Sequence, residues 1–123
     1  MSNDKIRIII AGSRNFSDYE LLRDKMDLLI SNMNEDDIQI VSGGCRGADT
    51  MGEDYAVERL NSDIKYFPAD WKRFGNAAGP RRNREMAEYA THLVLFWDGS
   101  SNGSKNMLRE AMNSNLKIRQ VMI

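Results

Sequence analysis

Short apolar runs alternate with amphipathic stretches along almost the whole chain. Residues 6–11 form a β-branched apolar run closed by Gly12, which is typical of a buried strand. Ser17 then precedes Glu20 in the pattern of a capping box. Behind this pair, apolar side chains recur at helical spacing; they are Leu22, Met26, Leu29, Ile30 and Met33. The pattern predicts a strand followed by an amphipathic helix of about four turns.

The same alternation continues to the end of the chain. Further strands are predicted at residues 38–41, 64–67, 93–97 and 118–123. Further helices are predicted at residues 48–60, 81–89 and 105–114, with a long loop at 68–80. Strands that alternate with helices predict an α/β fold, in which a mainly parallel sheet is covered by helices on both faces. Since no linker, repeat or low-complexity tract interrupts the pattern, we expect residues 1–123 to form a single domain.

The crossover rule narrows the order of the strands. A central first strand, with two strands added on each side, gives the order 3-2-1-4-5. The order then reverses between strands 1 and 4, and ligands of such sheets bind there, outside the carboxyl ends of the strands. The loops that reach this point are "GSRNF", "SGGCRG" and "DGSSNGS". These loops are rich in Gly and Ser, so we expect the ligand site among them.

Composition excludes several classes of protein. Seventeen basic and 18 acidic residues nearly cancel, which argues against duplex DNA or an anionic membrane as partner. The single Cys45 and single His92 can form neither an internal disulfide nor a Cys/His metal cluster, and we predict no metal and no cofactor. A Cys45–His92 dyad is not favoured either, because His92 begins strand 4. No apolar run has transmembrane length and no signal peptide is evident, so we expect a cytoplasmic domain.

The glycine turn after strand 2 suits an anion. Gly43, Gly44 and Gly47 allow a tight turn that exposes backbone N–H groups at the start of a helix. The turn is not the dinucleotide fingerprint, because Ser42 occupies the place of its first glycine. The alternative is that these glycines only allow close packing of the helix on the strand.

The loop after strand 4 is a second candidate. "GSSNGSK" lacks the spacing of a P-loop, so an ATPase is not predicted. It still places Ser100, Ser101, Asn102 and Ser104 as donors at a helix amino terminus, with Lys105 as a possible charge. A solvated, well-capped loop is the alternative.

A basic segment lies between these two loops in the sequence. Residues 72–84 contain five basic side chains and no acidic one, which favours an anionic partner. Arg14 and Arg46 could join this cluster. Trp71 and Phe74 flank the segment and could either stack on a base or fix the loop to the core. Four carboxylates fall near the predicted site, and the sequence does not choose among them; they are Asp49, Glu53, Asp70 and Asp98.

Five motifs resemble one superfamily. "GSRNFSDY", "SGGCRGADTMGE", "PADW", "AGPRRNREM" and "FWDGSSNGS", in this order, resemble the SLOG superfamily of Smf/DprA and LOG proteins. The branch they are most similar to is the YspA-like, YpsA-related small proteins of bacteria and phages. The resemblance implies a Rossmann-like three-layer fold, a nucleotide-derived ligand and a homodimer or higher homo-oligomer. If a phage encodes the protein, the expected location is the host cytoplasm.

The resemblance also implies roles for individual residues. The residues that match the first glycine motif are Ser42, Gly43, Gly44, Gly47 and Ala48. Arg82, Asn83 and Met86 look like the "R-[KN]-x-x-M" element, and Gly99 to Ser104 lie where LOG enzymes have P-G-G-x-G-T. LOG enzymes are phosphoribohydrolases that use an arginine and a glutamate, and Arg82 matches the arginine.

One position departs from the LOG pattern. Met107 stands where the catalytic glutamate is expected, and a thioether can neither stabilise an oxocarbenium charge nor activate water. Either Asp98 or Glu53 substitutes for it, or the pocket only binds. We favour binding.

The predicted ligand-binding residues are Gly12, Ser13, Arg14, Ser42, Gly43, Gly44, Arg46, Gly47, Arg82, Asn83, Asp98, Gly99, Ser100, Ser101, Gly103 and Ser104. The leading hypothesis is a module that binds or senses a nucleotide-derived molecule, with sequestration of a signalling nucleotide as one form. Hydrolysis of the N-glycosidic bond of a nucleoside monophosphate is the second hypothesis. Association with single-stranded DNA is the third.

Overall fold

A computed structural model describes residues 5–123 as one parallel sheet with helices on both faces. The strands are β1 (Ile6–Gly12), β2 (Ile38–Ser42), β3 (Ile64–Tyr66), β4 (His92–Trp97) and β5 (Lys117–Met122). Their order is β3-β2-β1-β4-β5 and every pairing is parallel. The predicted fold class and strand order are confirmed.

The helices follow the strands in chain order. They are α1 (Tyr19–Leu29), α2 (Ala48–Tyr55), the short α3 (Trp71–Phe74), α4 (Ala78–Tyr89) and α5 (Asn102–Asn113). A π-helical turn, Ala56–Leu60, extends α2, and 3-10 turns occupy Glu35–Asp37 and Gly75–Ala77. No helix within residues 5–123 is both long and apolar enough to cross a membrane.

The central strand β1 divides the core into two layers. Ile8 and Ile10 point to one face and pack in a cluster with residues of α1 and α2. Ile9 and Ala11 point to the other face and pack with residues of α4 and α5. All four side chains are buried, because a strand in the middle of a covered parallel sheet has no solvent face. This burial explains the continuous apolar run at the start of the sequence.

The carboxyl ends of β1 and β4 meet at the same level. Gly12 pairs with Phe96, and a Cβ atom at Gly12 would stand only 1.8 Å from the Phe96 carbonyl oxygen. A side chain at position 12 would therefore push the two strands apart. Because the two strands end side by side, the loops after β1 and β4 begin next to each other, at the predicted switch point.

The first helix is shorter than predicted. Asp18, not Ser17, is the N-cap, and its Oδ1 accepts a hydrogen bond of 3.1 Å from the Leu21 backbone N–H. The helix ends at Leu29, so Met33 lies beyond it, although Met33 still packs against the core. The capping box was wrong because two adjacent residues can both cap, and sequence spacing does not decide between them.

The fourth helix begins earlier than predicted. It starts at Ala78 and includes Pro80 in its first turn, where a missing N–H costs no intrahelical bond. The predicted start at Arg81 was therefore wrong by about one turn. As a result the helix places Arg82 and Asn83 inside its body, where both side chains are buried.

Candidate functional site

A cavity of about 290 Å³ lies at the carboxyl ends of β1, β2 and β4. Its lining comes from the loops after these strands and from α2, α4 and α5. The lining residues are Ala11, Gly12, Arg14, Cys45, Asp49, Arg82, Asn83, Met86, Ser101, Gly103, Ser104 and Met107. This location is the switch point at which open parallel sheets bind ligands.

Arg82 is the central charged group of the cavity. Only 8% of the residue is exposed, and its Nη1 donates a hydrogen bond of 2.6 Å to the Gly43 carbonyl oxygen. Its Nε donates to Asn83 Oδ1 at 3.0 Å, and Nη2 contacts Cys45 Sγ at 3.7 Å. A guanidinium carries five N–H groups. Within residues 5–123, three of these N–H groups are engaged, which leaves the others for a ligand.

Asn83 joins α4 to the start of α5. Its Nδ2 donates to Asn106 Oδ1 at 2.8 Å and contacts the Gly103 carbonyl oxygen at 3.5 Å. Because Asn83 also accepts the Arg82 Nε–H, one buried amide fixes both the guanidinium and the amino-terminal turn of α5.

The amino terminus of α5 opens onto the cavity. Ser101 is its N-cap, and the Ser101 Oγ accepts a hydrogen bond of 3.4 Å from the Ser104 backbone N–H. Ser101, Gly103 and Ser104 all line the cavity. The partial positive charge of a helix amino terminus favours anions, so this wall and Arg82 act in the same direction.

Asp49 is the carboxylate of the cavity. It lies in the first turn of α2 with 5% of the residue exposed, and its Oδ2 accepts a hydrogen bond of 3.3 Å from the Cys45 backbone N–H. Burial raises the pKa of Asp49 to about 6, against the opposing effects of the Cys45 N–H and the Arg82 charge. A carboxyl group with this pKa can hold or release a proton near neutral pH.

Gly43 leaves room for both the Arg82 and the Asp49 side chains. A Cβ atom at Gly43 would stand 2.7 Å from Arg82 Nη1 and 3.1 Å from Asp49 Oδ2. Any side chain here would displace a charged group. From the sequence, Asp49 was only one of four candidate carboxylates. Its inward orientation could not be predicted, because it depends on how α2 packs.

Gly47 allows close packing of the loops, which was the alternative role predicted for the glycines of this turn. It has a φ of +83°, and a Cβ atom there would stand 2.4 Å from the Ser13 carbonyl oxygen. Gly47 therefore seats the loop after β1 against the start of α2. Gly44 differs, because it has a φ of +76° and no atom within 4 Å of the place of a Cβ.

The structure brings part of the predicted site to the cavity. The predicted residues that line it are Gly12, Arg14, Arg82, Asn83, Ser101, Gly103 and Ser104. The predicted residues outside this lining are Ser13, Ser42, Gly43, Gly44, Arg46, Gly47, Asp98, Gly99 and Ser100. The hydroxyl of Ser13 is buried and has no hydrogen-bond partner among residues 5–123.

The two proposed substitutes for the missing glutamate lie outside the cavity lining. Glu53 accepts a hydrogen bond of 2.7 Å from Ser42 Oγ, and Ser42 Oγ in turn accepts the Gly44 N–H at 3.0 Å. Asp98 is exposed and accepts bonds from the backbone N–H and the hydroxyl of Ser100, which hold the pKa of its carboxyl below its usual value. Both carboxylates stabilise loops in this conformation.

Met107 faces the cavity together with Met86. Both are 2% exposed and belong to the core layer of α4 and α5. The position that the LOG pattern gives to glutamate is therefore apolar here, and Asp49 lines the same cavity from α2.

The basic segment does not converge on the cavity. The Arg81 and Arg73 guanidinium groups lie 4.0 Å and 5.0 Å from the centre of the Phe74 ring. Arg84 contacts Glu110 at 3.6 Å. Arg82 is the basic residue of this segment that lines the cavity. Within residues 5–123, no three His, Cys, Asp or Glu side chains are grouped to hold a metal ion.

The fold and the site together define a Rossmann-like α/β domain with an anion-compatible cavity at the switch point of its sheet. The chain belongs to the YspA, cpYpsA-related SLOG family, whose model matches residues 6–74. The matched segment contains the glycine turn and Asp49 and ends before Arg82. The resemblance inferred from the motifs is thus confirmed.

A solved structure is similar over nearly the whole chain. It is DNA processing protein A (DprA) from Streptococcus pneumoniae, with a TM-score of 0.72 and 17% sequence identity. The similarity covers 96% of this chain and 50% of that protein, so the chain spans half the length of the structure it matches. At this identity the likeness shows the fold alone. No curated protein matches the sequence.

Proposed function

We propose that this domain binds a nucleotide or a nucleotide-derived small molecule, with its phosphate in the cavity between Arg82 and the start of α5. The observation that carries the proposal is the buried Arg82, which is fixed by Gly43 and Asn83 and keeps N–H groups available. A phosphate would accept charge-assisted hydrogen bonds from this guanidinium and further bonds from Ser101 and the α5 amino terminus. Membership of a SLOG family supports a nucleotide-related ligand.

Binding without hydrolysis is the form we favour. Met107 places a thioether where LOG enzymes have their glutamate, and Asp98 and Glu53 are engaged elsewhere. A bound nucleotide would then be held intact, as a sensor or a sequestering protein requires.

Hydrolysis of the N-glycosidic bond is a second candidate, favoured by Asp49. Its carboxyl group lines the same cavity as Arg82 and has a pKa of about 6, which suits a general acid or base. Base release that is lost in Asp49→Asn would support this candidate. We do not favour the single-stranded DNA hypothesis, because Arg82 is the basic residue of segment 72–84 that lines the cavity and the others lie outside this lining.

The test compares Arg82→Ala with Lys25→Ala, a change at an exposed site on α1. Calorimetric titration would use nucleoside 5′-monophosphates, cyclic nucleotides and ADP-ribose, and chromatography would detect any released base. We expect Arg82→Ala to weaken binding by about 1.5–3 kcal/mol, the usual contribution of a hydrogen bond to a charged group. Lys25→Ala should bind as the wild type does.

Arg82→Lys separates a loss of binding from a loss of structure. It keeps the charge but cannot hold Gly43, Asn83 and a ligand at once, so we expect intermediate affinity. Circular dichroism would show whether each variant is folded. Equal ligand affinity in folded Arg82→Ala and Lys25→Ala would refute the assignment of the site.

A further inference from the structure

A second cavity of about 270 Å³ adjoins the first on the other side of Arg82. Its lining residues are Gly43, Gly44, Cys45, Tyr66, Pro68, Ala69, Trp71 and Arg82. Cys45 and Arg82 line both cavities, so the two spaces share one wall. Ligand sites typically measure about 300–1,000 Å³, and each cavity alone falls just below that range. The two cavities together fall within that range.

Trp71 is held in place at the edge of the second cavity. It begins α3, whose N-cap Asp70 accepts the Arg73 backbone N–H at 3.1 Å. Its ring lies against α4, because a Cβ atom at Gly79 would stand 3.3 Å from the Trp71 Cη2. Nevertheless 51% of Trp71 is exposed. An indole that is fixed on one side and open on the other is suited to stack on a second flat ring.

The remaining walls of the second cavity are apolar or lack side chains. Tyr66 is also 51% exposed, and its hydroxyl donates to Glu53 Oε1 at 3.4 Å. Gly44 leaves an open wall, and Pro68 and Ala69 contribute small apolar surfaces. Two large aromatic side chains thus border a small space that lies directly beside a buried arginine.

We infer that the second cavity holds the nucleobase, stacked on Trp71, while the first cavity holds the phosphate and Arg82 lies between them. This inference rests on the proposed function and adds a part of the site that recognises the base. Stacking on an aromatic ring is tolerant of base identity, so the cavity selects nucleotides over simple sugar phosphates. The ribose would then lie near Cys45 and Arg82.

The test separates the base from the phosphate. Wild type, Trp71→Ala and Leu28→Ala are titrated with AMP, GMP, CMP, UMP, ribose 5-phosphate and inorganic phosphate. Leu28 is 69% exposed on α1 and serves as an apolar control. We expect Trp71→Ala to weaken nucleotide binding about 5- to 150-fold, the range of base–aromatic stacking, and to leave ribose 5-phosphate binding within about twofold. Trp71→Phe should retain most of the affinity.

Fluorescence gives a readout that a purely structural role would not change. Of the two tryptophans, Trp97 is 6% exposed, so quenching by AMP but not by ribose 5-phosphate reports on Trp71. Equal affinity of the wild type for ribose 5-phosphate and the nucleotides would overturn the base site and leave the phosphate site standing. An equal loss of both ligands in folded Trp71→Ala would do the same. If none of the six probes binds the wild type but a cyclic nucleotide or ADP-ribose does, the base site is overturned and the proposed function stands. If none of these ligands binds, both proposals are overturned.

Discussion

Asp49→Asn tests whether the buried carboxyl of the cavity opposes folding when it is ionised. Burial raises the pKa of Asp49 from 3.8 to about 6, so the folded state prefers the protonated form. The resulting stability is present in full below the ordinary value of 3.8 and is lost as the pH rises through about 6. At about 1.4 kcal/mol for each pKa unit, this difference corresponds to about 3 kcal/mol.

The assay is urea unfolding of the wild type and Asp49→Asn between pH 4 and pH 8. Asparagine keeps the shape and an oxygen that can accept the Cys45 N–H, but it cannot ionise. We expect the stability of Asp49→Asn relative to wild type to rise with pH, by up to about 3 kcal/mol between the two ends of the range. Equal denaturant slopes would show that the unfolded states are comparable. Asp24→Asn, at a side chain that is 69% exposed, controls for the loss of one negative charge.

Two results would refute this reasoning. A stability difference that stays constant from pH 4 to pH 8 would mean that Asp49 does not titrate as its burial requires. The second is that Asp49→Asn is less stable than the wild type and that its deficit is larger at pH 8 than at pH 4. This would mean that the Arg82 charge and the Cys45 N–H outweigh the cost of burying the ionised carboxyl.

Two further predictions concern the packing of α2. Gly52→Ala should destabilise the fold by about 1–3 kcal/mol in urea unfolding, because a Cβ atom there would stand 2.7 Å from the Ile10 Cβ on β1; unchanged or higher stability would show that α2 can shift. Tyr55→Phe should lower the free energy of unfolding by about 1.5 kcal/mol, because it removes the bond of 2.6 Å from a buried Tyr55 hydroxyl to Asp27. Tyr66→Phe, whose hydroxyl contact is longer and exposed, is the matched control, and equal losses in the two variants would contradict this reasoning.

The fold was predictable because its main signals are local. A buried apolar run and helical spacing identify strands and helices, and the handedness of crossovers then restricts the order of the sheet. Helix boundaries were less predictable. The choice of Asp18 over Ser17 and the start of α4 before Pro80 depend on which backbone geometry the tertiary structure selects.

The site was predictable at the level of its loops and less so at the level of side chains. The Gly- and Ser-rich loops could be assigned to one edge of the sheet, and Arg82 could be singled out by the family pattern. The inward position of Asp49 and the placement of Arg81 on Phe74 depend on packing between elements distant in sequence. The homodimer and the cytoplasmic location stay predictions.

The pairing of β1 with β4 has a consequence for how the protein is made. Most of the chain lies between Gly12 and Phe96. During synthesis β1 and β2 therefore emerge long before β4, which pairs with the other edge of β1. Until β4 arrives, an apolar strand remains open to unwanted pairing with other chains. The cavity also cannot exist earlier, because Ser101 and Ser104 follow β4. A ligand would therefore bind only the completed molecule. It would slow unfolding of the finished protein, but it would not assist folding of the nascent chain.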